Sequence, residues 1–142
     1  MRNLLKIALL AVLVAGAACG SGDRAQEKPV HSQCDVHSGP CRIIVGGRTV
    51  TMDINPKPVT VMEDLDFIVT VSGKALKKPP FIDLNMIAMD MGPNRVELEK
   101  TGDGLYAGRG VIVKCSSGKK RWKALVTVPG VGAAEFYFNV RY

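Results

Sequence analysis

Histidine is nearly missing from this chain: there are two in 142 residues, both ahead of residue 38. Confined to one N-terminal stretch, they leave a nucleophilic triad or a histidine-based metallohydrolase without its parts. There is no C-x-x-C pair, no C-x-x-C-H haem attachment and no H-E-x-x-H, which removes three further chemistries. Aromatic residues make up 6% of the chain. The one basic run, Lys119-Lys120-Arg121 with Lys123, falls in a predicted turn beside a strand. A nucleic-acid face needs an extended basic stripe with stacking aromatics, so no nucleic-acid partner is expected. Past the N-terminus no apolar run nears the roughly 20 residues that span a bilayer as a helix. Gly102-Asp103-Gly104 and Gly108-Arg109-Gly110 read as turn and strand-kink glycines, not phosphate loops. No enzyme is expected.

What the N-terminus does carry is an export signal. Arg2 and Lys6 supply its positive region, Leu9 to Val14 its apolar core, and Ala15-Gly16-Ala17-Ala18 the small residues of a cleavage site. Cys19 follows directly, as the lipidated first residue does in a bacterial lipobox; plain signal cleavage is the alternative. Three pieces result: residues 1–18 as a lipoprotein-type signal peptide, 19–33 as a flexible tether, and 34–142 as one domain. The polar run Gly20-Ser21-Gly22-Asp23-Arg24 and onward has no apolar periodicity, which suits a tether. Gly20, in place of an inner-membrane-retaining Asp, directs the expectation to the outer membrane of a Gram-negative cell, facing the periplasm. Losing Arg2 and Lys6 lowers the net charge from its full-chain value of +6.

From Cys41 onward the apolar period is two. Arg42 to Val45, Gly46-Gly47, and Arg48 to Ile54 make a hairpin signature. Pro56 and Pro58 interrupt pairing. Phe67 to Val71 reads as a buried strand, followed by strands over Phe81 to Met89, Asn94 to Lys100, Leu105 to Lys114, Trp122 to Val128 and Glu135 to Tyr142. Turn signals about every ten residues predict an all-β, antiparallel immunoglobulin-like β-sandwich of about seven to nine short strands. Trp122, Ala124, Val126 and Val128 share one face; Phe136, Phe138, Val140 and Tyr142 share another, and both are expected in the core.

Two clusters could carry chemistry. In the first, Met86 continues the apolar face of Ile82 and Leu84, whereas Met89 and Met91 fall on the outward face before Gly92-Pro93. Thioethers at a strand end can hold Cu(I), a soft ion, or can plug an irregular gap in the core; both readings stand. A bulge at Asp90 would bring Met86 to the same side. In the second, His31, Cys34, His37 and Cys41 crowd into a few residues as H-x2-C-x2-H-x3-C. That spacing matches no common zinc finger, and an exported cysteine pair more often forms a disulfide. A Cys34–Cys41 bridge would stabilise the fold by about 2.5 kcal/mol through chain entropy, with His31 and His37 left as solvated loop residues. Cys115, at a strand end before Ser116-Ser117-Gly118, can bridge to Cys34 or Cys41, or act as a thiolate ligand beside the methionines.

Met89-Asp90-Met91-Gly92-Pro93-Asn94-Arg95-Val96, then Gly102 to Gly108 (G-D-G-L-Y-A-G), then Gly118 to Trp122, resembles the FixH/YtkA-like family over Pro58 to Tyr142. The resemblance implies an exported or membrane-anchored immunoglobulin-like domain linked to copper delivery or cytochrome oxidase assembly. It maps copper onto Met86, Met89 and Met91, with Cys115 in support, and implies a copper protein or oxidase-assembly partner. With no histidine near these methionines, the expected ion is Cu(I). The expected function is a membrane-anchored periplasmic module that binds or delivers Cu(I). Its alternative is a non-catalytic envelope lipoprotein serving as a structural or assembly module, with methionines as core.

Overall fold

A computed structural model describes residues 28–87 and 89–142. The signal peptide, the lipidation residue Cys19 and most of the tether lie outside the described residues. Ten strands follow in order: β1 Val30–Gln33, β2 Cys41–Val45, β3 Arg48–Asn55, β4 Asp64–Val71, β5 Phe81–Met86, β6 Arg95–Glu97, β7 Glu99–Gly102, β8 Leu105–Val111, β9 Arg121–Val128 and β10 Gly132–Asn139. Among the described residues there is no helix.

The strands form two five-stranded sheets, ordered β1-β10-β9-β5-β6 and β2-β3-β4-β8-β7. Every pairing is antiparallel except β1 with β10. Successive strands β4 and β5 lie in opposite sheets, where β4 pairs with β8 and β5 with β9. This crossed pairing defines the immunoglobulin-like sandwich. The tryptophan that antibody domains carry on the strand equivalent to β5 stands on β9 here, as Trp122, and the disulfide joins Cys34, just after β1, to Cys41 at the start of β2, at the edge of the two sheets.

Alternation drives the packing. β9 and β10 bury every second residue, so Trp122, Ala124, Val126, Val128, Ala134, Phe136 and Phe138 line the core. The Gly46-Gly47 turn has φ of 54° and 72°, the primed geometry that lets Val45 pair with Arg48. β4 starts three residues before the buried strand expected over Phe67 to Val71, and only one of its faces is buried: Asp64, Asp66 and Thr70 face solvent, because an antiparallel sheet needs cover on one side only.

Several boundaries move. The tether expected to residue 33 ends earlier, since Val30–Gln33 pairs in parallel with β10. The strand expected over 94–100 divides at buried Leu98 into β6 and β7, in different sheets. Together these shifts raise the strand count above the seven to nine expected. Tyr142, expected in the core, is 40% exposed: β10 ends at Asn139, and the Tyr142 ring lies against the Lys114 and Lys120 ammonium groups instead of the core. There Arg141 bridges to Thr60, and Val140 donates its N–H to the Lys120 carbonyl.

The registers give the sandwich two ends. Val30 pairs with Ala134 near one end, beside the Gly132↔Val128 pair. Met86↔Trp122 and Asn139↔Arg121 lie at the other. The methionine segment therefore sits at the end away from where the chain enters β1.

Candidate functional site

β5 stops at Met86, not at Met89. Ile87 opens a turn, and Met89 returns to make an antiparallel bridge with Met86. Outward alternation consequently never reaches Met89 and Met91; the turn places them instead. Met86 is buried at 4% exposure against the core, Met89 is 37% exposed, and Met91 is half-buried and packed on the core cluster. Asp90 Oδ1 accepts the Gly92 N–H at 2.9 Å, a side-chain-closed turn that fixes the segment leaving Met89. Further along, the Asn94 side chain donates to the Val111 carbonyl at 3.0 Å, and the Leu84 N–H bonds the Asn94 carbonyl at 2.8 Å. These bonds tie the methionine segment to the end of β8.

Cys115 follows the end of β8, in a turn closed by the Gly118 N–H on the Cys115 carbonyl at 3.0 Å. It is a free thiol, 1% exposed, with Sγ 3.7 Å from Met89 Sδ and 2.9 Å from Ser117 Oγ. The thiol is held below its ordinary value, first by the Ser117 hydroxyl, then by the Ser117 backbone N–H. The Lys119 N–H and charge add to this, and burial opposes it. The structure thus brings together Met89 and Cys115, with Met86 bridged to Met89 through the backbone.

The second cluster resolves as a disulfide: Cys34 and Cys41 are bonded to each other, with Cα atoms 5.8 Å apart. Cys115 is therefore not their partner. Neither histidine is a bare loop residue. His31 lies in β1 with its ring edge-on to Tyr137, 6.1 Å between centroids, and His37 Nδ1 accepts the Val59 N–H at 3.1 Å. Among the described residues no group of three or more His, Cys, Asp or Glu is placed to hold an ion. Two surface grooves, of about 270 and 510 Å³, are lined by residues such as Arg121 and Tyr137 or Thr70 and Asp103; neither lining includes a methionine.

Three residues of this end escaped sequence reasoning. Ser117 and Lys119 act on the thiol, and the signal for them was the Cys115-to-Gly118 turn itself. Met62 is 65% exposed and sits at φ 61°, a left-handed conformation rarely held by a long side chain, with its N–H on the Ile112 carbonyl at 2.8 Å. Nothing in the sequence around Met62 announces that conformation.

Compared with protein-family models and with curated proteins, the chain gave no match. Among solved structures, a crystal structure of the titin M3 domain aligns at 17% identity and a TM-score of 0.31, covering 63% of this chain and 97% of that one.

Proposed function

We propose that this protein is a non-catalytic module anchored to the bacterial envelope through Cys19, and that it carries Cu(I) as cargo on Met89 and Cys115. Met86, bridged to Met89 through the backbone, and Met91, two residues further on, are the candidates for further thioether donors, and the partner is a copper protein or oxidase-assembly factor, as in the FixH/YtkA-like family. The observation that carries the reading is the 3.7 Å approach of two soft sulfurs from segments 26 residues apart. Soft donors with no carboxylate or imidazole among them select the monovalent ion. Two metal–sulfur bonds of about 2.3 Å, drawn from sulfurs 3.7 Å apart, meet at about 107°. That bent angle belongs to three or four ligands and leaves positions for Met86 or Met91. A thiol already lowered by Ser117 gives up its proton to a metal more readily.

A second reading has its own observation. Cys115 and Met86 are almost wholly buried, and 3.7 Å is also van der Waals contact between sulfurs, so the group can serve as core in an interaction or assembly module. Cu(I) competition titration of the full chain separates the two. Carriage predicts tight one-to-one binding that Met89→Ala and Cys115→Ser each weaken, by a factor of ten or more if each donor contributes over about 1.4 kcal/mol. Equal affinity in the double variant and the parent would leave only the structural role.

A further inference from the structure

Positive charge at the methionine end is unevenly answered. Among the described residues, five ion pairs engage Lys57, Arg95, Lys100, Arg109 and Lys123. Lys114, Lys119 and Lys120 take part in none of them. Two of these ammonium groups converge on the exposed Tyr142 ring instead, Lys114 Nζ and Lys120 Nζ at 5.2 and 5.3 Å from its centroid, while the Tyr142 hydroxyl donates to the backbone carbonyl of Lys119. Cys115 sits inside this cluster, directly after Lys114 and at the head of the turn that leads to Lys119 and Lys120.

Among the described residues no carboxylate forms an ion pair with these lysines. Asp90, beside Met89, spends an oxygen on the Gly92 N–H. Glu63 and Asp64 follow Met62 and pair with no lysine of the cluster. Like charges gathered without ion-paired partners cost the folded state some self-repulsion, and what they supply is a local field that draws anions. The edge-exposed group inside that field is Met89, at 37%, in contact with the buried thiol.

Resting on the Cu(I) reading above, we propose that Cu(I) reaches Met89 and Cys115 as an anionic complex, steered by Lys114, Lys119 and Lys120. The step is ligand exchange. Copper stays monovalent; its bonds to the donor chelate break as bonds to Met89 Sδ and Cys115 Sγ form. The chelator leaves as the free anion, and the Cys115 proton passes to water. The lysine ammonium groups set the rate of encounter; the sulfurs, with the Lys119 backbone N–H on the thiol, set the affinity.

The test is stopped-flow uptake of Cu(I) by the full chain from two defined donors, the polyanionic bis-bicinchoninate complex and the acetonitrile cation. Steering predicts that uptake from the anion slows as salt rises, and slows on the order of tenfold or more in Lys114→Glu/Lys120→Glu. The final Cu(I) affinity of that variant stays at the parent value, and uptake from the cation is not slowed. The control is Lys77→Glu/Lys78→Glu, which changes net charge equally just before β5, at the opposite end; it should leave the anion rate unchanged. An anion rate indifferent to salt and to Lys114→Glu/Lys120→Glu, or slowed equally by the control, overturns steering while copper binding stands. No Cu(I) bound at equilibrium overturns both.

Discussion

At the methionine end, Met89 Sδ and Cys115 Sγ meet at 3.7 Å although the two residues stand 26 apart in the chain. Soft sulfur before Gly92-Pro93 and a cysteine before a turn can be read from spacing alone. That Cys115 touches Met89 depends on the turn after Met86 and on the Asn94 bond to Val111, and neither leaves a pattern of its own. The same holds for His37, which looked like a solvated loop residue. Its Nδ1 is the acceptor for the N–H of Val59, a residue with no exposure, on a segment whose carbonyl is taken by the Arg141 N–H. Replacing His37 with Ala strands that N–H, and an unpaired buried donor costs about 1–3 kcal/mol. Urea unfolding should show His37→Ala destabilised by that amount, with His31→Ala nearly neutral because His31 is exposed on an edge strand. Equal stability of the two variants would show that water, not His37, satisfies Val59.

At the scale of elements, strands and turns were legible because alternation is a local property. The passage from one sheet to the other was not. Arg95, Val96, Glu97, Leu98 and Glu99 keep a strict exposed–buried rhythm straight through the crossing, so nothing in the pattern marks where β6 ends and β7 begins. The crossing leaves its trace on the neighbouring strand instead. As the chain passes over β8, a Cβ at Gly108 would stand 2.1 Å from the Glu97 carbonyl oxygen, and one at Gly110 would stand 2.5 Å from a Val96 methyl. These two glycines are thus places of close approach rather than kinks. Gly108→Ala meets backbone, which cannot yield cheaply, and should cost at least the roughly 1–3 kcal/mol typical of overpacking. Gly110→Ala meets a methyl of buried Val96 and, at 3.3 Å, the Phe67 ring; these side chains are stiff but can shift where backbone cannot, so the cost should be substantial yet smaller than at Gly108. Thermal unfolding of the two variants checks the order; a milder effect at Gly108 would mean that the crossing is loose.

Over the whole molecule, the sandwich rests on apolar burial, with no polar or charged residue buried in its core among the described residues. Its pH dependence is therefore set by half-buried pairs on the outer faces. Burial alone would raise the Asp53 carboxyl, but Lys57 Nζ at 2.5 Å, Asn55 and the Ile54 N–H together hold it below its ordinary value. Burial likewise works against Glu135, and is outweighed by the Tyr137 hydroxyl at 2.8 Å and Lys123 at 3.1 Å. A carboxyl lowered in the folded state binds fewer protons there than in the unfolded chain. Its stabilisation is complete above the unfolded values of about 4 and disappears as pH falls through the lower folded values. Stability should accordingly hold down to the ordinary carboxylate range and drop below it. Asp53→Asn with Glu135→Gln should lower stability at neutral pH and flatten that acid limb. Urea midpoints across the acid range measure both effects. An acid limb equally steep in the double variant would place the responsible carboxylates elsewhere, leaving these two pairs as surface contacts of little worth.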